Sequence, residues 1–266
     1  VAEELARVRP VIEALVADGV TVSIDTIHAE TAAAAVAAGV KYINDVSGGL
    51  HDPDMLEVAA HAVREAGVTF IIGHWRGIPD PDHERSSYTD VVAEVGAALQ
   101  ARAEAALRAG IDRSKIVLDP GLGFDKTGEQ SWEILRRFDE LQALGYPVLI
   151  GASRKRMIAE VLSEEARELD SARDLATAFV SALSARAGAW GVRVHEVAST
   201  TMALAVDRAW RAPAAVPAPS PSNNGERDTI ALTGLEVFAH HGVFEFEREQ
   251  GQKFLIDAEV TVDMRK

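Results

Sequence analysis

Between residues 19 and 199 the chain repeats one pattern: a short apolar run, a few polar residues, an amphipathic stretch rich in Ala, then a glycine. The apolar runs are VTVSIDT (20–26), KYINDVSGG (41–49), VTFIIGHWRG (68–77), KIVLDPGLGF (115–124), PVLIGASRK (147–155) and VRVHEV (192–197). Continuous apolar strands alternating with helices predict a parallel sheet covered by helices. Two architectures satisfy that pattern, the open doubly wound sheet and the (β/α)8 TIM barrel. No glycine fingerprint of the dinucleotide-binding type follows the first run. Every run ends in polar residues, and only the barrel brings all strand ends to one shared rim. The reading is therefore an α/β chain with a (β/α)8 TIM barrel. Six strands are two short of eight, so the barrel is expected to lack its first two strands, which would precede Val1.

Composition narrows the partners. With 266 residues, 47% of them hydrophobic, the chain can bury a large core. A net charge of −14 argues against nucleic acid or an anionic membrane surface as the main partner. An anionic small molecule would need a local cationic pocket. The absence of cysteine excludes disulfides and thiolate metal sites. With no signal peptide and no apolar run near 18 residues, a cytoplasmic protein is expected. The chain opens on Val1 inside an amphipathic helix and closes in FLIDAEVTVDMRK, so both ends read as cut.

Residues 211–228, RAPAAVPAPSPSNNGERD, read as an extended linker rich in Pro, Ala and Ser. From Thr229 the sequence alternates apolar and polar residues as antiparallel strands do. Roughly 40 residues are too few for an independent core, so this second domain is expected to be incomplete. The domain reading is thus 1–210, 211–228 and 229–266.

The strand ends present Asp25, Asn44 with Asp45, His74 with Arg76, Asp119, Ser153 with Arg154 and Lys155, and Arg193 with His195. Asp25, Asn44 and Asp119 suit the donors and acceptors of a polar heterocycle. Arg154, Lys155, Arg193 and His195 suit a phosphate or carboxylate. Asp119 can accept two hydrogen bonds from an amino-substituted ring. Gly121 and Gly123 let backbone approach a flat ligand, and Phe124 offers a stacking face. Taken singly, each has a plainer explanation. Asp-Pro-Gly is turn chemistry, Asp or Ser at a strand end caps a helix, His74 can be a satisfied core histidine, and Arg76 is expected in solvent. The recurrence of polar groups at every strand end is what points to a site.

The motifs SIDT, INDVSGG, HWRG, DPGLGFDKT, GASRKRMI and GVRVHEV occur in the order and at the spacings of the dihydropteroate synthases, and residues 1–210 resemble that family. The resemblance implies a (β/α)8 barrel. It also implies condensation of p-aminobenzoate with 7,8-dihydropterin hydroxymethyl diphosphate to 7,8-dihydropteroate, with release of pyrophosphate, in folate biosynthesis. By that resemblance Asp25, Asn44 and Asp119 bind the pterin. Lys155 reaches the pterin beside the aminobenzoate, with Ser153, Gly123 and Phe124 lining the substrate pocket. Arg193 and His195 take the diphosphate, and Lys155, Arg193 and His195 are the catalytic set. The resemblance implies Mg²⁺ as cofactor, held by an Asn expected upstream of Val1, with no metal ligand in this chain. It also implies a homodimer through the barrel. Two positions depart from the family pattern: Arg156 stands where many members have Ser, and Gly73 where Met is common, which suggests a looser pterin pocket. The mobile loops that would carry the Mg²⁺ Asn and close on aminobenzoate also belong before Val1. The 266 residues alone are therefore expected to bind pterin weakly and turn over poorly.

ALTGLEVFAHHGVFEFEREQGQKFLIDAEV is similar to the start of dihydroneopterin aldolase, an α+β folate enzyme, with Glu247 at that family's active-site glutamate. Its catalytic Lys and Tyr would lie beyond Lys266. The whole then resembles part of a multifunctional fusion of two folate enzymes. Two other readings remain: a pterin-binding methyltransferase domain, and a non-catalytic pterin-binding paralogue. SRKR and RVHEV favour the synthase, because a diphosphate needs cations at that place.

Overall fold

A computed structural model describes residues 1–77, 85–211, 228–239 and 252–262. It divides into two units, Val1–Arg211 and Ala212–Lys266. The first unit runs α1 (Ala2–Ala17), β1 (Ser23–Asp25), α2 (Ala29–Ala37), β2 (Tyr42–Asp45), α3 (Met55–Ala66), β3 (Thr69–Gly73), α4 (Val91–Arg108) and β4 (Ile116–Asp119). It continues with α5 (Gly128–Arg136), α6 (Phe138–Gln142), β5 (Leu149–Ile150), α7 (Arg156–Glu160), α8 (Glu164–Arg167), α9 (Asp170–Arg186), β6 (Gly191–Val192) and α10 (Val197–Arg211).

All six expected strands form, shorter than their apolar runs, because the polar tails leave the ladder as loops. β1 to β4 pair in parallel in chain order, with Asp25 beside Asn44 and Gly73 beside Asp119. β5 pairs in parallel with β6. Leu118 N donates to Pro147 O at 2.9 Å and forms a parallel bridge to Val148, which carries the order on from β4 to β5. Each strand thus lies next to its predecessor, with no reversal of order. A doubly wound sheet reverses at a switch point; a barrel does not. The six strand–helix units are those of a partial (β/α)8 barrel.

Period-two alternation sorts the strand residues into two layers. Ile24, Ile43, Phe70, Ile72, Ile116, Leu118, Val148 and Ile150 point outward and pack under the helices with Val95, Leu99 and Ile134. Ile71, Val117 and Leu149 point inward and form a small separate cluster beside Tyr42. Ala-rich stretches such as Ala32 and Ala35 of α2 let the helices lie close to the strands. The inward face turns polar at the C-terminal strand ends, and that change of chemistry builds the site.

In the second unit, β7 (Asp228–Ala239) pairs antiparallel with β8 (Gln252–Val262), with a register shift between Leu232 and Leu235. Residues 212–227 and Glu247 lie outside the described residues. Among the described residues no helix is long and apolar enough to cross a membrane.

Candidate active site at the strand ends

Four strand ends meet in one hydrogen-bonded cluster. Asn44 Nδ2 donates to Asp25 Oδ2 at 2.8 Å. The Arg193 guanidinium reaches over from the end of β6, donating to Asn44 Oδ1 at 3.2 Å and to Asp119 Oδ2 at 2.9 Å. The other Asp119 oxygen accepts from Gly121 N at 2.8 Å. Asn44 and Asp119 are buried, whereas Asp25 is open to solvent on one side. Desolvation at the packed strand ends pushes the Asp25 carboxyl above its ordinary range, against the pull of Arg193.

Two further groups stand beside this cluster. Lys155, the first residue before α7, donates to Leu122 O and holds its ammonium 4.9 Å from the centre of the Phe124 ring. Burial and Arg193 lower its pKa to about 8. Ser153 does not cap α7; its hydroxyl lies 2.9 Å from His195 Nδ1 and accepts from His195 N at 3.1 Å. Ser153 therefore sets the imidazole orientation next to Arg193.

The turn from β4 to α5 carries the two glycines and Phe124. Gly121 has φ 64° and Gly123 φ 76°. A Cβ on Gly121 would stand 2.2 Å from His74 O, so the turn lies hard against the end of β3. The end of the turn is fixed by a capping box, Thr127 with Gln130, and by Ser131, whose hydroxyl accepts from Gly123 N at 3.2 Å.

Some expectations need correction. Arg154 is not available to an anion, because Asp174 holds it through two 2.7 Å hydrogen bonds and Asp170 through a third at 3.3 Å. Arg76 is half-buried rather than free in solvent. It lies 3.6 Å from the Tyr88 ring centre and bonds Glu94 at 2.6 Å and Ser87 O at 2.7 Å. Asp45 points into its own loop, accepting from Ser47 N, Ser47 Oγ and Gly49 N. Gly73 does not open the pocket. A Cβ there would meet Val46 Cα at 2.5 Å, so neighbouring backbone already fills the space. Arg156 is exposed and pairs weakly with Glu160 at 3.8 Å.

One residue of the site went unnoticed in the sequence. Lys126, 2% exposed, sits beneath the glycine turn with its amine 2.9 Å from His74 Nδ1. Its position directly after GFD was visible, but lysines are seldom buried, and nothing local announces that this one is.

The fold and rim together define a parallel α/β barrel whose strand ends carry a carboxylate–amide cluster beside cationic side chains. Comparison with known proteins makes the class specific. The family model described as pterin binding enzyme matches residues 1–195, and that of dihydroneopterin aldolase matches residues 230–266. The dihydropteroate synthase of Mycobacterium leprae is 48% identical over 210 residues, covering 78% of this chain and 72% of that protein. A Xanthomonas albilineans dihydropteroate synthase solved with 4-aminobenzoic acid aligns with a TM-score of 0.72 at 40% identity, over 80% of this chain and 73% of that one. The same enzyme solved with 7,8-dihydropteroate aligns with a TM-score of 0.71, over 80% and 76% of the two chains. The chain belongs to the dihydropteroate synthase family and carries the beginning of a dihydroneopterin aldolase-like sequence after it. Its class of reaction is the family's transfer in folate biosynthesis, the condensation of p-aminobenzoate with 7,8-dihydropterin hydroxymethyl diphosphate.

Proposed function

We propose that Asp25, Asn44 and Asp119 hold the pterin ring while Arg193, His195 and Lys155 take the charge of the departing diphosphate. The supporting observation is the placement of Arg193, which joins Asn44 to Asp119. The amino-pyrimidine edge of a pterin presents the same kind of paired N–H donors as a guanidinium. Groups arranged to receive one are arranged to receive the other. When the ring takes Asp119, Arg193 is released beside His195, where the diphosphate ends.

The aminobenzoate nitrogen attacks the exocyclic methylene carbon. The bond from that carbon to the diphosphate oxygen breaks, and its electron pair leaves on pyrophosphate. The amine then loses a proton to solvent or to the leaving group. No side-chain nucleophile is needed, so catalysis rests on holding the ring and stabilising the leaving charge. Gly123 and Phe124 wall the ring, and Ser153 orients His195. Among the described residues no group of three or more His, Cys, Asp and Glu is placed to hold a metal. A Mg²⁺ carried on the diphosphate would neutralise part of the leaving group's charge there.

Pyrophosphate release measured with both substrates tests the reading. Release should require p-aminobenzoate and fall sharply in Arg193→Gln. Release without the amine would make the site a hydrolase and overturn it. Ring binding with no release under any condition would favour the non-catalytic pterin-binding reading.

The same proposal places residues 211–228 as a linker between two domains and the protein in the cytoplasm. It also gives the barrel a second copy as partner. Leu175, Phe179 and Leu183 of α9 and Met202, Val206 and Trp210 of α10 are large, apolar and exposed, at spacings of four. Two packed helices with matching stripes present a self-complementary face, as a symmetric dimer requires. Sedimentation equilibrium should give a dimer and Phe179→Glu a monomer. A wild-type monomer at micromolar concentration would exclude this face as the contact.

A further inference from the structure

Lys126 lies outside the ligand-facing set, yet its surroundings are fully specified. Its Nζ is 3.1 Å from Gly121 O, 2.9 Å from Phe124 O and 2.9 Å from His74 Nδ1. Below about pH 7, where this lysine carries its proton, it has three N–H bonds to give, and three acceptors surround it. Two are carbonyls turned inward by a loop that cannot make a regular ladder, since Gly121, Gly123 and Asp125 all adopt positive φ. Buried carbonyls need a donor: Gly121 O also accepts from Phe124 N at 3.0 Å, and for Phe124 O the Lys126 amine is the donor. The third acceptor, His74, is buried at the end of β3, and its backbone N–H donates to Asp119 O at 3.0 Å.

The loop that Lys126 holds is the one that faces the ligand. Gly121 N donates to Asp119 Oδ1 at 2.8 Å, which aims the carboxylate. Leu122 O accepts from Lys155, and the Phe124 ring lies beneath the Lys155 ammonium. We propose that Lys126 is a positioning residue for ring recognition: it clamps the 119–125 turn against His74 and thereby sets Asp119, Phe124 and Lys155 without touching the ligand. This inference rests on the pterin reading above. The charges around the amine agree with it. Asp119 and Asp125 favour the ammonium, while burial, Lys155 and Arg76 oppose it. Burial and Lys126 itself lower the His74 pKa to about 3, which leaves a neutral imidazole able to accept at Nδ1.

The experiment compares Lys126→Met with the unaltered full chain. The substitution keeps an unbranched stem and removes all three donors. Calorimetric titration would use two probes, 6-hydroxymethyl-7,8-dihydropterin for the ring site and inorganic pyrophosphate for the anion site. The expected result is a loss of pterin affinity of roughly tenfold or more, the scale of buried acceptors left unpaired. Pyrophosphate affinity should fall by less than pterin affinity, since Ser153 orients His195 and Arg193 also bonds Asn44, outside the turn. Unchanged pterin affinity overturns the inference, and so does an equal loss for both probes, which marks a merely structural lysine. Should Lys126→Met fail to fold, His74→Leu removes one acceptor and leaves the other two, and its expected effect is a smaller loss confined to pterin. If even the unaltered chain binds no pterin, the pterin reading itself fails. The clamp is then tested by the ¹⁵N shifts of the His74 ring, which must show an unprotonated Nδ1 at about pH 6, below the ordinary histidine value of about 6.5. A His74 that titrates at that ordinary value would overturn the clamp too.

Discussion

Asp119 touches more of the site than any other single carboxylate described above. One oxygen is used internally by Gly121 N, and the other faces Arg193. Replacing Asp119 by Asn keeps the shape but removes the charge and turns one acceptor into a donor. That donor would face either the Arg193 guanidinium or the N–H edge of a ring, and both contacts become unfavourable. A hydrogen bond to a charged group is worth about 1.5–3 kcal/mol, so Asp119→Asn should lower pterin affinity roughly 10- to 100-fold. Fluorescence titration with 6-hydroxymethyl-7,8-dihydropterin measures it, and an unchanged affinity would remove Asp119 from the ring site. Asp119, Asn44, Asp25, Lys155, Arg193 and His195 were all legible in the sequence, because strand-end placement needs only the period and the polar tail. Arg154 and Arg76 were misread for one reason: their partners, Asp174 and Glu94, come from α9 and α4, whose approach no local pattern encodes. Lys126 was missed because its burial is set by the shape of the turn above it.

At the scale of elements, the glycines divide into those that shape a turn and one that lets two elements touch. Gly73 ends β3, and a methyl added there would overlap Val46 Cα at 2.5 Å and Val46 O at 2.7 Å. Both contacts are backbone, which cannot rotate away. Gly73→Ala should therefore push the loop after β2 off the end of β3 and destabilise the chain by roughly 1–3 kcal/mol. Urea unfolding measures this, and a neutral result would contradict the close approach. Strand existence and order were readable from the repeat of apolar runs, since a parallel strand buried on both faces must be apolar throughout. Strand length was not readable. β5 and β6 keep only two ladder residues each, because the polar tails GASRK and HEV build the site instead of pairing. The short helices α7 and α8 have five and four residues, too few to show a period in the sequence.

For the whole first unit, the buried bases make stability and ligand affinity respond to pH with opposite signs. His74 is lowered from 6.5 to about 3, Lys126 from 10.5 to about 7 and Lys155 from 10.5 to about 8, each chiefly by burial. For each group the unfolded chain binds the proton more tightly than the folded chain. Between about pH 3 and 6.5 the unfolded state carries the extra proton on its histidine, and between about 7 and 10.5 on its two lysines. Wherever the unfolded state holds more protons, stability rises with pH. In urea the ligand-free chain should thus unfold at a higher midpoint at about pH 9 than at about pH 7, and Lys126→Met should flatten that rise. An anionic diphosphate ester asks for the reverse, a protonated Lys155 beside Arg193. Its affinity should fall as pH climbs past about 8, and Lys155→Arg, whose charge does not titrate there, should remove that fall. An unfolding midpoint that does not rise between about pH 7 and 9 would mean that the lysines are not held below their ordinary values. Affinity independent of pH with Lys155 intact would mean that its charge does not face the ligand. The cationic groups that an anionic substrate needs carry a cost of burial that the substrate's own charge offsets on binding.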